Sequence, residues 1–189
     1  GDINSAKNYY QEALTINSSY APALTNLGII ELSKGNKKEA LSLLIKATEA
    51  DPQLAAAWGN LANGYVQLEK TQEAEIPCRQ AIGLNPNHFK SHFLLGLILI
   101  DQKKLNDAEV SLRTAIEIKP DFAKAHSILG NLLSKFGKLQ ESEIFLRKAI
   151  ELDPDLAEAH SNLGNILRSL GHLKKAEVLT RKAIELKPD

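Results

Sequence analysis

Three histidines recur at intervals of 34 residues, and they are the first residues of this chain that could do chemistry: His92, His126 and His160. Histidine serves as a metal ligand and as a general acid or base near neutral pH. A shared metal ion would need ring nitrogens about 2 Å from it. Residues one interval apart in a regular repeat fall on separate helices, whose axes pack about 8–10 Å apart. We therefore interpret these histidines as packing residues and predict no metal site.

Cys78 is the single cysteine, so neither an intrachain disulfide nor a cysteine-based metal site can form. Its position in the repeat is filled by leucine in other repeats, for example Leu44 and Leu112, which favours a buried structural thiol. The sequence contains no HExxH, GxSxG, phosphate-loop or GxGxxG pattern. We therefore predict that the chain is not an enzyme and carries no cofactor.

A period of 34 residues organises the whole chain, and we number its slots from Ala21. Slot 7 is leucine throughout and slot 32 is proline throughout: Leu27, Leu61, Leu95, Leu129, Leu163 and Pro52, Pro86, Pro120, Pro154, Pro188. Small residues at slots 8, 20 and 27 let two helices approach closely, and glycine at slot 15 suits a left-handed turn. Apolar residues at helical spacing complete each period. The pattern predicts a helix–turn–helix unit with helices of about 12–14 residues.

The columns of the repeat resemble the tetratricopeptide repeat (TPR), which one period matches at seven positions: Trp58, Leu61, Ala62, Tyr65, Ala74, Ala81 and Pro86. The resemblance covers essentially the whole chain, in the manner of a regular bacterial-type TPR array. It implies an all-α fold, a right-handed α-solenoid in which the first helix of each pair lines a concave face. The implied divisions are a half repeat and five TPRs that together form one TPR domain: residues 1–20, 21–54, 55–88, 89–122, 123–156 and 157–189.

Pro77 departs from the pattern because it falls inside the second helix of its repeat. Proline removes a backbone donor and crowds the preceding turn. We expect a bend there or a late start of the helix.

The resemblance places slots 2, 5, 6, 9, 12 and 13 of each first helix on the concave face. The apolar residues expected there come from the first three repeats: Ile29, Leu32, Val66, Phe93, Leu94, Leu97 and Ile100. The later repeats contribute mainly polar and cationic residues, including Ser127, Ser134, Lys135, Ser161, Asn162 and Ser169. We predict that a peptide binds to nine residues of this face: Asn63, Val66, Lys90, Phe93, Leu97, Lys124, Asn131, Asn165 and Arg168.

Asparagines recur at slots 6 and 9, three residues apart on one helical face: Asn26, Asn60, Asn162 and Asn63, Asn131, Asn165. An amide offers both a donor and an acceptor, as a peptide backbone requires. The arrangement resembles the asparagine ladder of a TPR glycosyltransferase, although Leu94 and Ile128 interrupt it. Two alternatives stay open: the asparagines bond between repeats or to solvent, and Phe93 packs into the neighbouring repeat.

The overall charge limits the kinds of partner that this chain can bind. Its 23 basic residues balance its 23 acidic residues. This balance disfavours nucleic-acid and membrane surfaces, and we expect a protein or peptide ligand, mildly acidic because cations outnumber acids on the concave face. We also expect head-to-tail self-association through uncapped ends. The chain contains no methionine, so we expect a fragment, of cytoplasmic location.

Two functions are consistent with these patterns. The first is a protein–protein interaction scaffold that binds an extended peptide or a partner surface in the concave groove. The alternative, implied by the resemblance alone, is the substrate-recruitment arm of a larger enzyme of the glycosyltransferase or methyltransferase type.

Overall fold

A computed structural model describes residues 3–188, and this part of the chain is helical with short connections. The described part contains eleven α-helices, which we number in chain order: α1 Ile3–Ile16, α2 Ala21–Ser33, α3 Lys37–Ala50, α4 Ala55–Gln67, α5 Thr71–Leu84, α6 Phe89–Asp101, α7 Leu105–Ile118, α8 Ala123–Lys135, α9 Leu139–Leu152, α10 Ala157–Ser169 and α11 Leu173–Leu186. The all-helical prediction is confirmed.

Two kinds of helix alternate along the chain. The even-numbered helices have 13 residues and begin at slot 1, and we call them A helices. The odd-numbered helices have 14 residues, and we call them B helices. These lengths agree with the 12–14 residues that the spacing of apolar residues predicts.

The chain divides into two compact units, the first ending at Gln102 and the second beginning at Lys103. In the first unit the pairs α2–α3 and α4–α5 pack as hairpins, and the A helices α2, α4 and α6 lie side by side. In the second unit the hairpins are α8–α9 and α10–α11, with α8 beside α10. Because neighbouring A helices touch within each unit, residues of the same slot form rows across them.

The glycines of slot 8 explain how an A helix approaches its B helix. A Cβ atom placed on Gly28 would lie 2.7 Å from Cγ of Leu44, and one on Gly130 would lie 2.7 Å from Cγ of Leu146. Both leucines are fully buried. Side chains closer than van der Waals contact cannot coexist in such a packed interior, so only glycine fits opposite leucine here.

The turn between the A and B helices requires a left-handed residue at slot 15. Gly35, Gly137 and Gly171 adopt φ of 81°, 72° and 82° there, as the sequence predicts. Glu69 and Lys103 occupy the same slot in the other two repeats with φ of 60° and 62°. The fold imposes this conformation on residues with a Cβ, which adopt it at a cost of about 1–2 kcal/mol.

Pro77 lies within one continuous helix. Helix α5 begins at Thr71, the slot where the other complete B helices begin, and extends to Leu84. The late start expected from Pro77 is therefore wrong, and the bend stays a prediction. Pro77 is buried, so its ring contributes to packing at this position.

Candidate functional site

In four of the five repeats, the residue of slot 4 is a ring residue that makes the same hydrogen bond. Nε2 of His126 and of His160 lie 2.8 Å from the carbonyl oxygens of Pro120 and Pro154, and Nε2 of His92 lies 2.9 Å from that of Pro86. Trp58 makes the same bond, since its Nε1–H donates to the carbonyl of Pro52 at 2.9 Å. Each ring therefore satisfies the carbonyl of the slot-32 proline.

This shared bond explains why histidine can stand in place of tryptophan at slot 4: both rings carry an N–H that donates to the proline carbonyl. A carbonyl oxygen only accepts, so the histidine Nε2 must carry the proton and is not available to a metal. The Nδ1 atoms of His126 and His160 are buried and lack a partner. Within residues 3–188, no group of three or more histidine, cysteine or carboxylate side chains is arranged to hold a metal ion.

Cys78 is a buried thiol, as predicted from its leucine slot. Its Sγ donates to the carbonyl oxygen of Ser91 at 2.9 Å. Burial raises the pKa of this thiol to about 12. A thiol that stays protonated is a poor nucleophile, so Cys78 belongs to the core of the first unit.

The open side of the A helices carries the predicted binding residues. In α4 and α6 of the first unit, and in α8 and α10 of the second, slots 2, 9, 12 and 13 are all exposed or half-buried, and we call this surface of each unit its A-helix face. The first unit places five of the predicted residues on or beside it: Asn63, Val66, Lys90, Phe93 and Leu97. The second unit places the other four there: Lys124, Asn131, Asn165 and Arg168.

In the first unit, apolar side chains are partly open to solvent beside one cation. Val66, Phe93 and Leu97 are half-buried, and Lys90 is exposed. Burial, and then the charge of Lys90, lower the pKa of His88. A ligand on this part of the face meets hydrophobic surface, with the positive charge of Lys90 and the negative charge of the exposed Asp101 on the same face.

In the second unit the face is polar and cationic. Lys124, Lys135 and Arg168 are exposed, with Glu158 as the acid of the face. Nη2 of Arg168 donates to Oδ1 of Asn165 at 2.8 Å. The amide nitrogen of Asn165 takes no part in this bond, so its two hydrogens remain donors on the surface. Donors and positive charge dominate this surface.

The asparagines divide into engaged and free groups. Nδ2 of Asn60 donates to the carbonyl of Ala56 in its own helix at 2.8 Å. In the described part of the chain, the amides of Asn63 and Asn131 make no hydrogen bond, although both side chains are half-buried. Asn26 and Asn162 at slot 6 are free in the same way. The recurrence of asparagine at slot 6 in the sequence pointed to Asn26 and Asn162. The nine predicted peptide-binding residues do not include them.

Three residues expected on the concave face are buried. Leu32 belongs to a core cluster with Leu44 and Leu61, and Leu94 is buried as well. Ser127 at slot 5 is also buried. Placing these three residues on an open surface was wrong, because the same slot is buried in some repeats and open in others, as the exposed Ser161 at slot 5 shows.

The comparisons with known proteins agree with this geometry. The sequence profile of the family described as "Cilia and flagella-associated protein 70 C-terminal domain", a TPR family, matches residues 1–188. The chain belongs to this family. TPR domains are generally scaffolds for protein–protein interaction rather than catalysts. The TPR resemblance drawn from the sequence is confirmed.

Among other similar proteins, the E3 ubiquitin-protein ligase CHIP of Arabidopsis thaliana is 38% identical over 72 residues, which cover 36% of this chain and 26% of the ligase. Superkiller complex protein 3 of Mus musculus is 31% identical over 74 residues, which cover 39% of this chain and 5% of that protein. The matched segments therefore make up at most 39% of this chain and at most 26% of those proteins.

Solved TPR structures match over nearly the full length. YrrB, whose structure is described as "a TPR protein with an unusual peptide-binding site", is 26% identical with a TM-score of 0.72, covering 95% of this chain and 93% of YrrB. MamA of Desulfovibrio magneticus is 24% identical with a TM-score of 0.74, covering 88% and 94%. In residues 3–188, no helix is both long and apolar enough to cross a bilayer.

Proposed function

We propose that the A-helix face of each unit of this TPR domain binds an extended segment of a partner protein. The observation that carries the proposal is the state of Asn63 and Asn131, which are half-buried at slot 9 with both amide groups free. A polar group that is partly desolvated and unpaired gains most from a ligand that supplies its missing hydrogen bonds. Backbone amides of an extended peptide have the complementary donor and acceptor.

The first unit supplies an apolar anchor for such a segment. Val66, Phe93 and Leu97 are half-buried and therefore partly open to a ligand, and buried apolar anchors usually dominate the affinity of an interface. Lys90 lies on the same face. An apolar ligand side chain followed by a carboxylate matches this pair of features.

The second unit favours a mildly acidic ligand. Lys124, Lys135 and Arg168 outnumber Glu158 on its A-helix face, so electrostatic attraction accelerates the arrival of an acidic segment. Asn165, whose Oδ1 accepts from Arg168, presents its amide hydrogens to a ligand carbonyl. Binding through these exposed charges weakens as salt is added.

A second candidate function is the recruitment arm of a larger enzyme. The similarity to part of an E3 ubiquitin-protein ligase supports this alternative, since the matched segment is 26% of that ligase. The A-helix face would then hold the substrate protein. A catalytic domain in the same polypeptide distinguishes this role from that of a free scaffold.

We also propose self-association at α11. Ile184 is exposed on α11, whereas its equivalent Ile150 packs against Leu156, which precedes α10, and Ala159 of α10. Another repeat could therefore pack at Ile184. Light scattering over a wide concentration range tests this, and a constant monomeric mass contradicts it.

The binding test compares residues of one face. A partner recovered with the intact chain is titrated against Phe93→Ala and Asn131→Ala, and each should weaken binding at least about tenfold. Asn60→Ala is the matched control, because its amide already bonds within its own helix. If Phe93→Ala and Asn131→Ala bind as tightly as the parent while melting temperatures are unchanged, the A-helix face is not the binding site.

A further inference from the structure

Two successive junctions between B helices in the second unit differ in one feature. At the first junction, between α7 and α9, Nη2 of Arg113 lies 2.7 Å from Glu109 and 2.5 Å from Glu141. The guanidinium carbon of Arg113 also lies 5.4 Å from the ring centre of Phe145. Glu141 and Phe145, both on α9, therefore contact Arg113 and fill the space between α7 and α9.

The second junction, between α9 and α11, keeps the arginine but loses both partners. Arg147 corresponds to Arg113, while Lys175 replaces Glu141 and Leu179 replaces Phe145, each one period of 34 residues later. Nη2 of Arg147 still bonds Glu143 in its own helix at 2.7 Å. The Arg147 side chain is 53% exposed, compared with 35% for Arg113, which Glu141 and Phe145 of the following B helix contact.

A groove of about 380 Å³ remains at the second junction, lined by Arg147, Leu167, Lys174, Lys175, Val178 and Leu179. Leu167 is buried at its floor and Val178 is 67% exposed at its wall. Among residues 3–188, no carboxylate oxygen lies within 4 Å of the ammonium group of Lys174 or Lys175. The groove therefore combines an apolar floor with a cationic rim.

We propose that this groove binds an acidic peptide segment of a partner protein that also carries a large apolar side chain. A ligand carboxylate would take the place of Glu141 and pair with Arg147 and Lys175. An apolar ligand side chain, best an aromatic ring, would take the place of Phe145 over Leu167 and Leu179. The first junction thus shows, within the same unit, the two chemical groups that the second junction lacks.

The apolar floor distinguishes this ligand from a nucleic acid. Three cations alone would attract any polyanion, but phosphate groups gain nothing from Leu167, Val178 and Leu179. A ligand with both groups gains from charge at the rim and from apolar burial at the floor. The groove lies between two B helices, so its occupancy is independent of the A-helix face.

The test uses a fluorescein-labelled peptide with a central phenylalanine flanked by two glutamates on each side, and anisotropy with the intact chain. Two comparison probes are the same peptide with alanine in place of phenylalanine and a single-stranded oligonucleotide of equal charge. We expect saturable binding of the first peptide and at least tenfold weaker binding of both comparison probes. Equal binding of the alanine peptide or of the oligonucleotide would overturn the proposal, because charge alone would then explain the attraction.

The decisive variant is Lys175→Glu, which restores the carboxylate found at the first junction. It should pair with Arg147, reduce peptide affinity at least tenfold and raise the melting temperature. Lys104→Glu makes the same charge change at an exposed residue of the same unit that lies on neither surface, and it should leave peptide binding within twofold of the parent. Unchanged binding by Lys175→Glu, or an equal loss with Lys104→Glu, would place the peptide elsewhere.

Discussion

Nε2 of His160 lies 2.8 Å from the carbonyl oxygen of Pro154, the same bond that Trp58 makes to Pro52 three repeats earlier in the chain. Removing the donor while keeping a ring tests its contribution. We expect His160→Phe to lower the free energy of unfolding by about 1–2 kcal/mol, because the proline carbonyl loses its partner.

Chemical denaturation measures this change. His172→Phe is the control, since His172 is exposed and its side chain makes no hydrogen bond in the described structure. Equal stability of the parent and His160→Phe would show that water replaces the ring donor.

Replacing Glu69 or Lys103 with glycine should stabilise the chain, because both residues lie in left-handed turns. Both residues have φ near 60°, where the other repeats use glycine. We expect Glu69→Gly and Lys103→Gly each to stabilise the chain by about 0.5–1 kcal/mol, because relief of the left-handed strain exceeds the added flexibility of the unfolded chain. Thermal unfolding measures the effect, and Gly137→Ala should act in the opposite direction. A loss of stability in both glycine variants would contradict this account.

Gly28 and Gly64 face the same leucine at different distances. A Cβ on Gly28 would lie 2.7 Å from Leu44, whereas one on Gly64 would lie 3.5 Å from it. We therefore expect Gly28→Ala to destabilise the chain by about 1–3 kcal/mol. Gly64→Ala should be neutral or stabilising, because alanine is the better helix former. Urea titrations that give the reverse order would disprove this description of the packing.

Acid stability depends on Glu31, which is 2% exposed at a slot that other repeats fill with Tyr65 or leucine. Nδ2 of Asn36 donates to it at 2.6 Å and Nζ of Lys7 at 2.7 Å, and these bonds lower the pKa of Glu31. The stabilisation is therefore complete above the ordinary glutamate pKa and is lost as the pH falls through the lowered folded-state pKa.

Glu31→Gln tests this dependence. Near pH 7 the variant should be less stable than the parent, and the difference should shrink as the pH is lowered below about 4.3. Free energies of unfolding measured across this range check the prediction. A difference that stays constant with pH would exclude the carboxylate as its cause.

The repeat made the fold predictable from the sequence. Residues at the same slot pack in the same way in each repeat. The pattern alone was therefore enough to assign Leu44 and Gly28 to a helix interface. The free and engaged asparagines could not be told apart in this way. Asn60 and Asn63 look equivalent as letters, and only the geometry shows that Asn60 bonds to Ala56 in its own helix.

Burial at the edges of a helical face was also beyond the sequence. Leu94 and Ser127 share slots with residues that other repeats leave partly or fully open, for example Asn162 and Ser161. Whether such a position is open depends on the neighbouring A helix, which a slot pattern does not describe. The B-helix groove could not be predicted because its signal is a change between repeats, from Glu141 to Lys175, rather than a shared residue.

The location of the bound partner tests the central proposal most directly. A photo-reactive phenylalanine derivative is placed at Gln67 or Ser134 on the A-helix faces, beside Asn63 and Asn131, or at Ile76 or Val110 on the exposed side of the B helices. Each variant is irradiated with the same purified partner. The proposal predicts cross-links from Gln67 and Ser134 that an excess of unlabelled parent chain suppresses, and none from Ile76 and Val110. Cross-links confined to Ile76 and Val110 would contradict it.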